Sequence, residues 1–242
     1  NAKGYGLTFG VHTRLDGLVT HIVERLRAGN IYVNRNMIGA AVGMQPFGGE
    51  GLSGTGPKAG GPLYLWRLVE GGLPALPPEY ADVRDGLCET ALPAPAGEAN
   101  AYRLTPRGSV LCRAATESGA RAQLEACLAT GNRAVFVQNE ASLALAAACS
   151  FEQREHLELI SGDPFGPSWA CQAALFEGGA DELMRFNRSV VALEGPIVAV
   201  QGLSTKALAQ GARYALECLV RECSVSINTA AAGGNASLLA MD

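Results

Sequence analysis

A short run of small residues, Ile38-Gly39-Ala40, is the stretch best suited to hold a carboxylate. Successive backbone N–H groups in such a turn can point at one spot and form a nest for an anion. Phe47 follows, introduced by Pro46 and released by Gly48-Gly49, and its ring can stand beside that nest. On residue chemistry alone the same stretch also reads as a plain structural turn. Gly49-Glu50-Gly51-Leu52-Ser53-Gly54 spells the G-x-G-x-x-G dinucleotide pattern. That pattern cradles a pyrophosphate only between a strand and the first turn of a helix. Here Pro57, Gly60, Gly61 and Pro62 follow and block a helix. No nucleophile stands out, because Ser53 and Ser161 lack the G-x-S-x-G elbow. His12, His21 and His156 are scattered among polar neighbours, with His21 on the surface of an expected helix.

Local patterns predict the elements that would position these groups. Leu15–Ala28 carries an apolar helical stripe (Leu18, Val19, Ile22, Val23, Leu26) and stops at Gly29-Asn30. Ile31–Val33 is a short strand, and residues 34–62 are ordered loop, too rich in glycine for a helix or a long strand. Gly71–Pro78 is a linker by composition, and Pro93–Glu98 a loop. Strands are expected at Ser109–Arg113, Ala134–Gln138, Leu157–Ile160 and Ile197–Gln201. Helices are expected at Glu117–Ala129, Glu140–Ala148, Trp169–Phe176, Asp181–Arg188 and Tyr214–Glu222. Repeated strand–helix units imply a parallel sheet with right-handed crossovers, a Rossmann-like α/β domain. The turn after its first strand, Ala114-Ala115-Thr116-Glu117, has no glycine before Gly119, so the shape is expected without nucleotide binding. Ser224–Asn228 alternates apolar and polar residues as an exposed or edge strand, before a Gly/Ala-rich segment at Thr229–Leu239.

Composition narrows the function classes. The 242 residues are 48% hydrophobic and 17% charged, a globular balance rather than a disordered one. The net charge of −4 divides into +3 for residues 1–70 (7 basic, 4 acidic) and −7 for residues 71–242 (12 basic, 19 acidic). Mild acidity argues against a nucleic-acid or anionic-membrane partner. The most apolar stretch, Leu143–Cys149, is far shorter than the ~20 residues of a bilayer span. Seven cysteines without a C-x-x-C pair, and three histidines, argue against a zinc site or a disulfide framework. Cys112 and Cys127 fall in apolar patterns and are expected in the core of a cytoplasmic protein. No signal peptide is visible, and Asn1–Gly10 reads as the middle of a domain, so a piece of a longer protein is expected.

Longer motifs add a resemblance. Gly4–Thr8, Ala28–Asn34 and Pro46–Gly49 with Ser53-Gly54 resemble the C-terminal end of an aldehyde dehydrogenase. The run Asn34–Ala40 through Gly51–Pro62 is similar to the L-glutamate-gamma-semialdehyde (pyrroline-5-carboxylate) dehydrogenase module of the proline utilization A family. Gly97-Glu98-x-Asn100-x-Tyr102-x-Leu104-x-Pro106-Arg107-Gly108, Ala129–Asn132 and Ser224–Leu238 resemble the C-terminal extension of its long members. This extension resembles an aldehyde dehydrogenase nucleotide-binding domain but is not known as a cofactor site.

The resemblance implies four regions: a catalytic-domain end at 1–70, a linker with room for a hairpin at 71–105, a Rossmann-like domain at 106–222, and a strand and tail at 223–242. It implies that Gly39 and Ala40 hold the substrate's α-carboxylate through backbone amides and that Phe47 lines the aldehyde pocket. Lys58 takes a position where many aldehyde dehydrogenases carry Glu. The family's thiol nucleophile, general-base Glu and ribose-holding Glu fall upstream of Asn1, as does the flavin-bearing proline dehydrogenase barrel. The implied parent oxidises glutamate semialdehyde to glutamate with NAD, and holds FAD in its proline dehydrogenase part. This chain alone is expected to bind neither cofactor and to be inactive. Its expected partners are the rest of such a chain or another subunit in a homo-oligomer, together with the small-molecule substrate. The alternative is a stand-alone, non-catalytic interaction or oligomerisation module.

Overall fold

A computed structural model of the chain describes residues 1–70, 72–73, 75–166 and 170–230. In chain order the elements are β1 (Tyr5–Gly6), β2 (Thr8–Val11), α1 (Asp16–Arg25), β3 (Asn30–Val33) and β4 (Glu50–Gly51). Then come β5 (Cys88–Leu92), β6 (Glu98–Pro106), β7 (Ser109–Arg113), α2 (Glu117–Ala129), β8 (Arg133–Val137), α3 (Glu140–Ala148), α4 (Phe151–Glu155) and β9 (Leu157–Ile160). The last are β10 (Ala173–Glu177), α5 (Ala180–Val191), β11 (Ala199–Leu203), α6 (Thr205–Ala209) and β12 (Val220–Asn228). Two compact units interleave along the chain. The first takes Asn1–Leu65, Glu89–Leu104 and the chain from Arg221; the second takes Trp66–Cys88 and Thr105–Val220. Residues 71–105 thus hold a 3-10 turn at Pro78–Asp85 and most of a strand pair.

The first unit is built on a five-stranded sheet of order β2-β3-β12-β6-β5, in which β2, β3 and β12 run parallel. Ile31, Val33 and Val225 lie buried side by side, with Val19 and Val23 of α1 packed on them. α1 is shorter than its apolar stripe, which continues to Leu26. Leu26 turns extended because the next residues must reach the sheet: Gly29 N–H donates to the Gly6 carbonyl and Asn30 N–H to that of Leu7. Gly6 leaves room for that approach, since a Cβ there would lie 2.2 Å from the Arg27 carbonyl oxygen.

The segment Ser224–Asn228, expected as an exposed or edge strand, is part of β12 in the sheet interior. Ser224, Val225 and Ser226 are all buried. The alternating pattern misleads because each serine hydroxyl has a partner. Ser224 Oγ donates to the Pro46 carbonyl at 2.7 Å, and Ser226 Oγ accepts from Arg35 at 2.8 Å. The part of the tail motif from residue 231 on lies outside the described residues.

The second unit is a parallel sheet of order β11-β10-β7-β8-β9. The chain moves outward from β7 to β9, then returns past β7 to lay down β10 and β11. Alternate residues feed two cores on opposite faces. Val110, Cys112, Phe136 and Leu175 meet α2 and α3 through Leu124, Cys127 and Leu145. Leu111, Ala174 and Phe176 meet α5 through Phe186 and Val190. Helices therefore cover both faces, and Cys112 and Cys127 are core residues. Two expected helices are corrected. The stretch assigned to Trp169–Phe176 contains the inner strand β10, all five residues of which are buried; Trp169 itself lies outside the described residues. The stretch Tyr214–Glu222 is a 3-10 turn at Leu216–Cys218 followed by the start of β12.

Candidate functional site

The loop from Asn34 to Gln45 leaves the end of β3. Asn34 opens it in the left-handed region (φ 56°), with its N–H on the Val11 carbonyl and its side-chain oxygen accepting from Thr13 N–H. Asn36 Oδ1 accepts from Ile38 N–H, and Gly39 follows at φ 81°. That conformation suits glycine and strains any residue with a Cβ. The loop closes where Met44 and Gln45 N–H both donate to the Ala41 carbonyl, while Gln45 Oε1 accepts from Ala41 N–H at 3.0 Å. Among the described residues, the N–H groups of Gly39 and Ala40 have no acceptor. Both residues are exposed, as are Ile38 and Val42 at 82% and 86%.

The two ends of the loop meet on one carboxylate. Arg35 Nη1 donates to Glu98 Oε2 at 2.6 Å and to Ser226 Oγ at 2.8 Å. Gln45 Nε2 donates to Glu98 Oε1. The Arg35 and Glu98 side chains are 16% and 15% exposed, and the guanidinium lies 5.2 Å from the centre of the Tyr32 ring.

Phe47 is half-buried, and its flanking peptides are fixed on all sides. Its N–H and carbonyl pair with Ala59. The Pro46 carbonyl accepts from Asn30 Nδ2 and Ser224 Oγ. Gly48 N–H donates to Asn30 Oδ1, and the Gly48 carbonyl accepts from Lys58 Nζ at 2.6 Å. Lys58 Nζ also reaches Asn30 Oδ1 at 3.2 Å, and its N–H donates to Glu222 Oε2. Lys58 is 2% exposed. Burial pushes its ammonium down to about 8, opposed in part by Cys223, Glu222 and Glu50. The glycine-rich pattern at 49–54 serves packing. β4 lies inside it and pairs with β1, and a Cβ on Gly51 would lie 2.3 Å from the Gly4 carbonyl oxygen.

In the second unit, the turn between β7 and α2 is where a parallel α/β sheet of this order receives phosphate. Here it holds the chain's own anion. Glu177, buried at the end of β10, accepts from Ala115 N–H at 2.8 Å, Thr116 N–H at 2.9 Å, Thr116 Oγ1 and Thr205 Oγ1. A Cβ on Gly119 would fall 1.9 Å from Glu177 Oε2, so the glycine of this helix makes room for an internal carboxylate. Among the described residues, no group of three or more His, Cys, Asp or Glu is placed to hold a metal, and no helix is long and apolar enough to cross a membrane.

Sequence reasoning named Gly39, Ala40 and Phe47 but missed Arg35, Gln45 and Glu98, and gave Lys58 no role. Arg35 and Glu98 fall in motifs the sequence showed, at 34–40 and 97–108, but nothing local joins them, because the contacts link segments 53 to 191 residues apart.

Comparison with known proteins supplies the remaining context. Residues 1–70 match the aldehyde dehydrogenase family. The bifunctional protein PutA of Rhizobium meliloti is 44% identical over 273 residues, covering 100% of this chain and 22% of that protein. The 1-pyrroline-5-carboxylate dehydrogenase 1 of Halalkalibacterium halodurans is 49% identical over 65 residues, 27% of this chain and 13% of its own length. The solved structure of proline utilization A (PutA) from Corynebacterium freiburgense shares the fold, with a TM-score of 0.54 at 23% identity over 95% of this chain and 24% of that one. The chain spans about a fifth of the length of the curated PutA relatives it matches. Related to PutA along its whole length and to aldehyde dehydrogenases over residues 1–70, the chain belongs to the PutA family and corresponds to its C-terminal portion.

Proposed function

We propose that this chain supplies the carboxylate anchor for an NAD-dependent oxidation of L-glutamate gamma-semialdehyde to glutamate, carried out by a longer PutA enzyme. The observation that carries this is the pair of acceptor-free N–H groups at Gly39 and Ala40, on a loop held at both ends. Two such donors match the two oxygens of an α-carboxylate and bind it without a counter-ion. Phe47, its backbone fixed by Ala59, Asn30, Ser224 and Lys58, offers an apolar wall to the aldehyde chain. Anchoring the far end of the substrate fixes where its aldehyde carbon sits, which is how positioning contributes to rate.

The thiol nucleophile and the general base belong to the remainder of such an enzyme. NAD, when bound there, accepts the hydride. It does not fit the β7–α2 turn of the second unit, where Glu177 already uses the N–H groups a phosphate would need. The second unit accordingly acts as a non-catalytic cover or assembly domain, docking on the rest of the enzyme or on another subunit.

The test replaces Gly39 by Val in the complete enzyme. Nothing lies within 4 Å of the added Cβ, so the effect comes from the backbone, which leaves φ 81° and turns the amides away. A hydrogen bond to a charged group contributes about 1.5–3 kcal/mol. Binding of the semialdehyde is expected to weaken about ten- to a hundredfold. Propanal, which has no carboxylate, is expected to be little affected. Equal losses for both substrates would refute the anchor.

A further inference from the structure

Gly39 and Ala40 make no hydrogen bond among the described residues, while their neighbours do: Ile38 N–H donates to Asn36 Oδ1, Ala41 N–H to Gln45 Oε1 and Gly43 N–H to the Gly60 carbonyl. Burial does not set the direction of the Gly39 and Ala40 amides, which are exposed; it follows from what holds their bonded neighbours. Two side chains that frame the loop, Arg35 near its start and Gln45 at its end, meet on Glu98, and Gln45 also holds the Ala41 N–H.

Glu98 is well fixed to do this. Its N–H donates to the Pro95 carbonyl, and the adjacent Gly97 carbonyl accepts from Thr229 and Ala230. Asn100 Nδ2 ties the same turn to the Pro93 carbonyl. The carboxylate uses one oxygen for Arg35 and the other for Gln45, in a largely desolvated place where charge-assisted bonds are short and stiff. Ser226, 1% exposed, takes a second bond from Arg35. Glu98 and Ser226 both lie outside residues 1–70, the part that matches the aldehyde dehydrogenase family.

We propose that Glu98 is a positioning residue for substrate-carboxylate recognition: it sets the spacing of Arg35 and Gln45 and thereby the aim of the Gly39 and Ala40 amides. Specificity for a carboxylate-bearing aldehyde is then built partly by strands outside the aldehyde dehydrogenase segment. Because this rests on the anchor role of Gly39 and Ala40, the test is arranged to separate the two.

In the complete enzyme, Glu98→Gln keeps the side chain's size but gives it one acceptor and one donor. Its amide group then faces a donor, either Arg35 or Gln45, and one tie is lost. KM for glutamate semialdehyde is expected to rise about tenfold, a loss near 1.4 kcal/mol. kcat and KM for propanal are expected to stay within about twofold. The exchange Glu98→Gln with Gln45→Glu restores a matched donor and acceptor and is expected to bring the semialdehyde KM back toward that of the parent. Ser226→Ala, a milder change, is expected to give the same selective rise at about threefold, and it decides the question if Glu98→Gln does not fold. If Gly39→Val discriminates between the two aldehydes but neither Glu98→Gln nor Ser226→Ala does, Glu98 is not a positioning residue and the anchor stands. If Gly39→Val fails to discriminate, the anchor falls and Glu98 with it.

Discussion

Lys58 offers a direct test of the packing beneath Phe47. The side chain is 2% exposed, and burial lowers its ammonium from 10.5 to about 8. Between those values the unfolded chain holds a proton that the folded chain has released. Stability therefore rises with pH across that window, by up to 1.4 kcal/mol per unit. From pH 8 to 9, with the folded group passing from half to mostly neutral, Lys58 alone adds about 1 kcal/mol. For other groups the sign is opposite. Burial raises the thiols of Cys171 and Cys223 to about 11, so the folded chain keeps protons that the unfolded chain loses, and each thiol's contribution falls as pH rises toward 11. The thiols begin to act about a unit below pH 9, where unfolded thiols start to ionise, and their effect is common to the two chains compared below. Urea unfolding is followed by NMR at the β3 amides, in the unit that holds Lys58. The parent chain should gain about 1 kcal/mol between pH 8 and 9 relative to Lys58→Met, which has no group to titrate. Parallel profiles for the two chains would refute a buried, depressed Lys58. A ¹⁵N titration of its Nζ near pH 10 would do the same.

Other expectations concern the second unit and the chain alone. Glu177→Ala leaves the N–H groups of Ala115 and Thr116 without their acceptor and should destabilise the second unit by about 2–4 kcal/mol in thermal unfolding read by tryptophan fluorescence; a loss below about 0.5 kcal/mol would mean the carboxylate is not a structural anion. Calorimetry with NAD should show no micromolar binding to the chain, and saturable heat abolished by changes at residues 114–119 would contradict the internal occupation by Glu177. The chain alone, mixed with NAD and glutamate semialdehyde, should produce no NADH at rates near the roughly 1–1000 per second of ordinary enzymes.

Much of the second unit was legible because local signals agree with the tertiary outcome. β7, α2, β8, α3 and β9 fall within a residue or so of the expected segments. Thr116 and Asn139 sit as N-caps, each accepting from the third residue of its helix. Parallel topology followed from the alternation of strands and helices. The run of apolar residues before Gly178-Gly179 was not legible. Periodicity cannot separate a fully buried strand from a buried helical turn, and only the place of β10 between β7 and β11 decides it.

The site divides in the same way. The sequence by itself determined the small residues at Gly39-Ala40, the proline and glycines that flank Phe47, and the family, since these depend on residue types close along the chain. The tertiary structure alone decided what holds them. A carboxylate at 98 and a hydroxyl at 226 reach a loop at 35–45, and an ammonium at 58 reaches the carbonyl of Gly48. Ser224 and Ser226 read as solvent-facing because a lone serine prefers water. They are buried because folding brings Pro46 and Arg35 within hydrogen-bond reach, and a buried hydroxyl is stable only when such a partner is present.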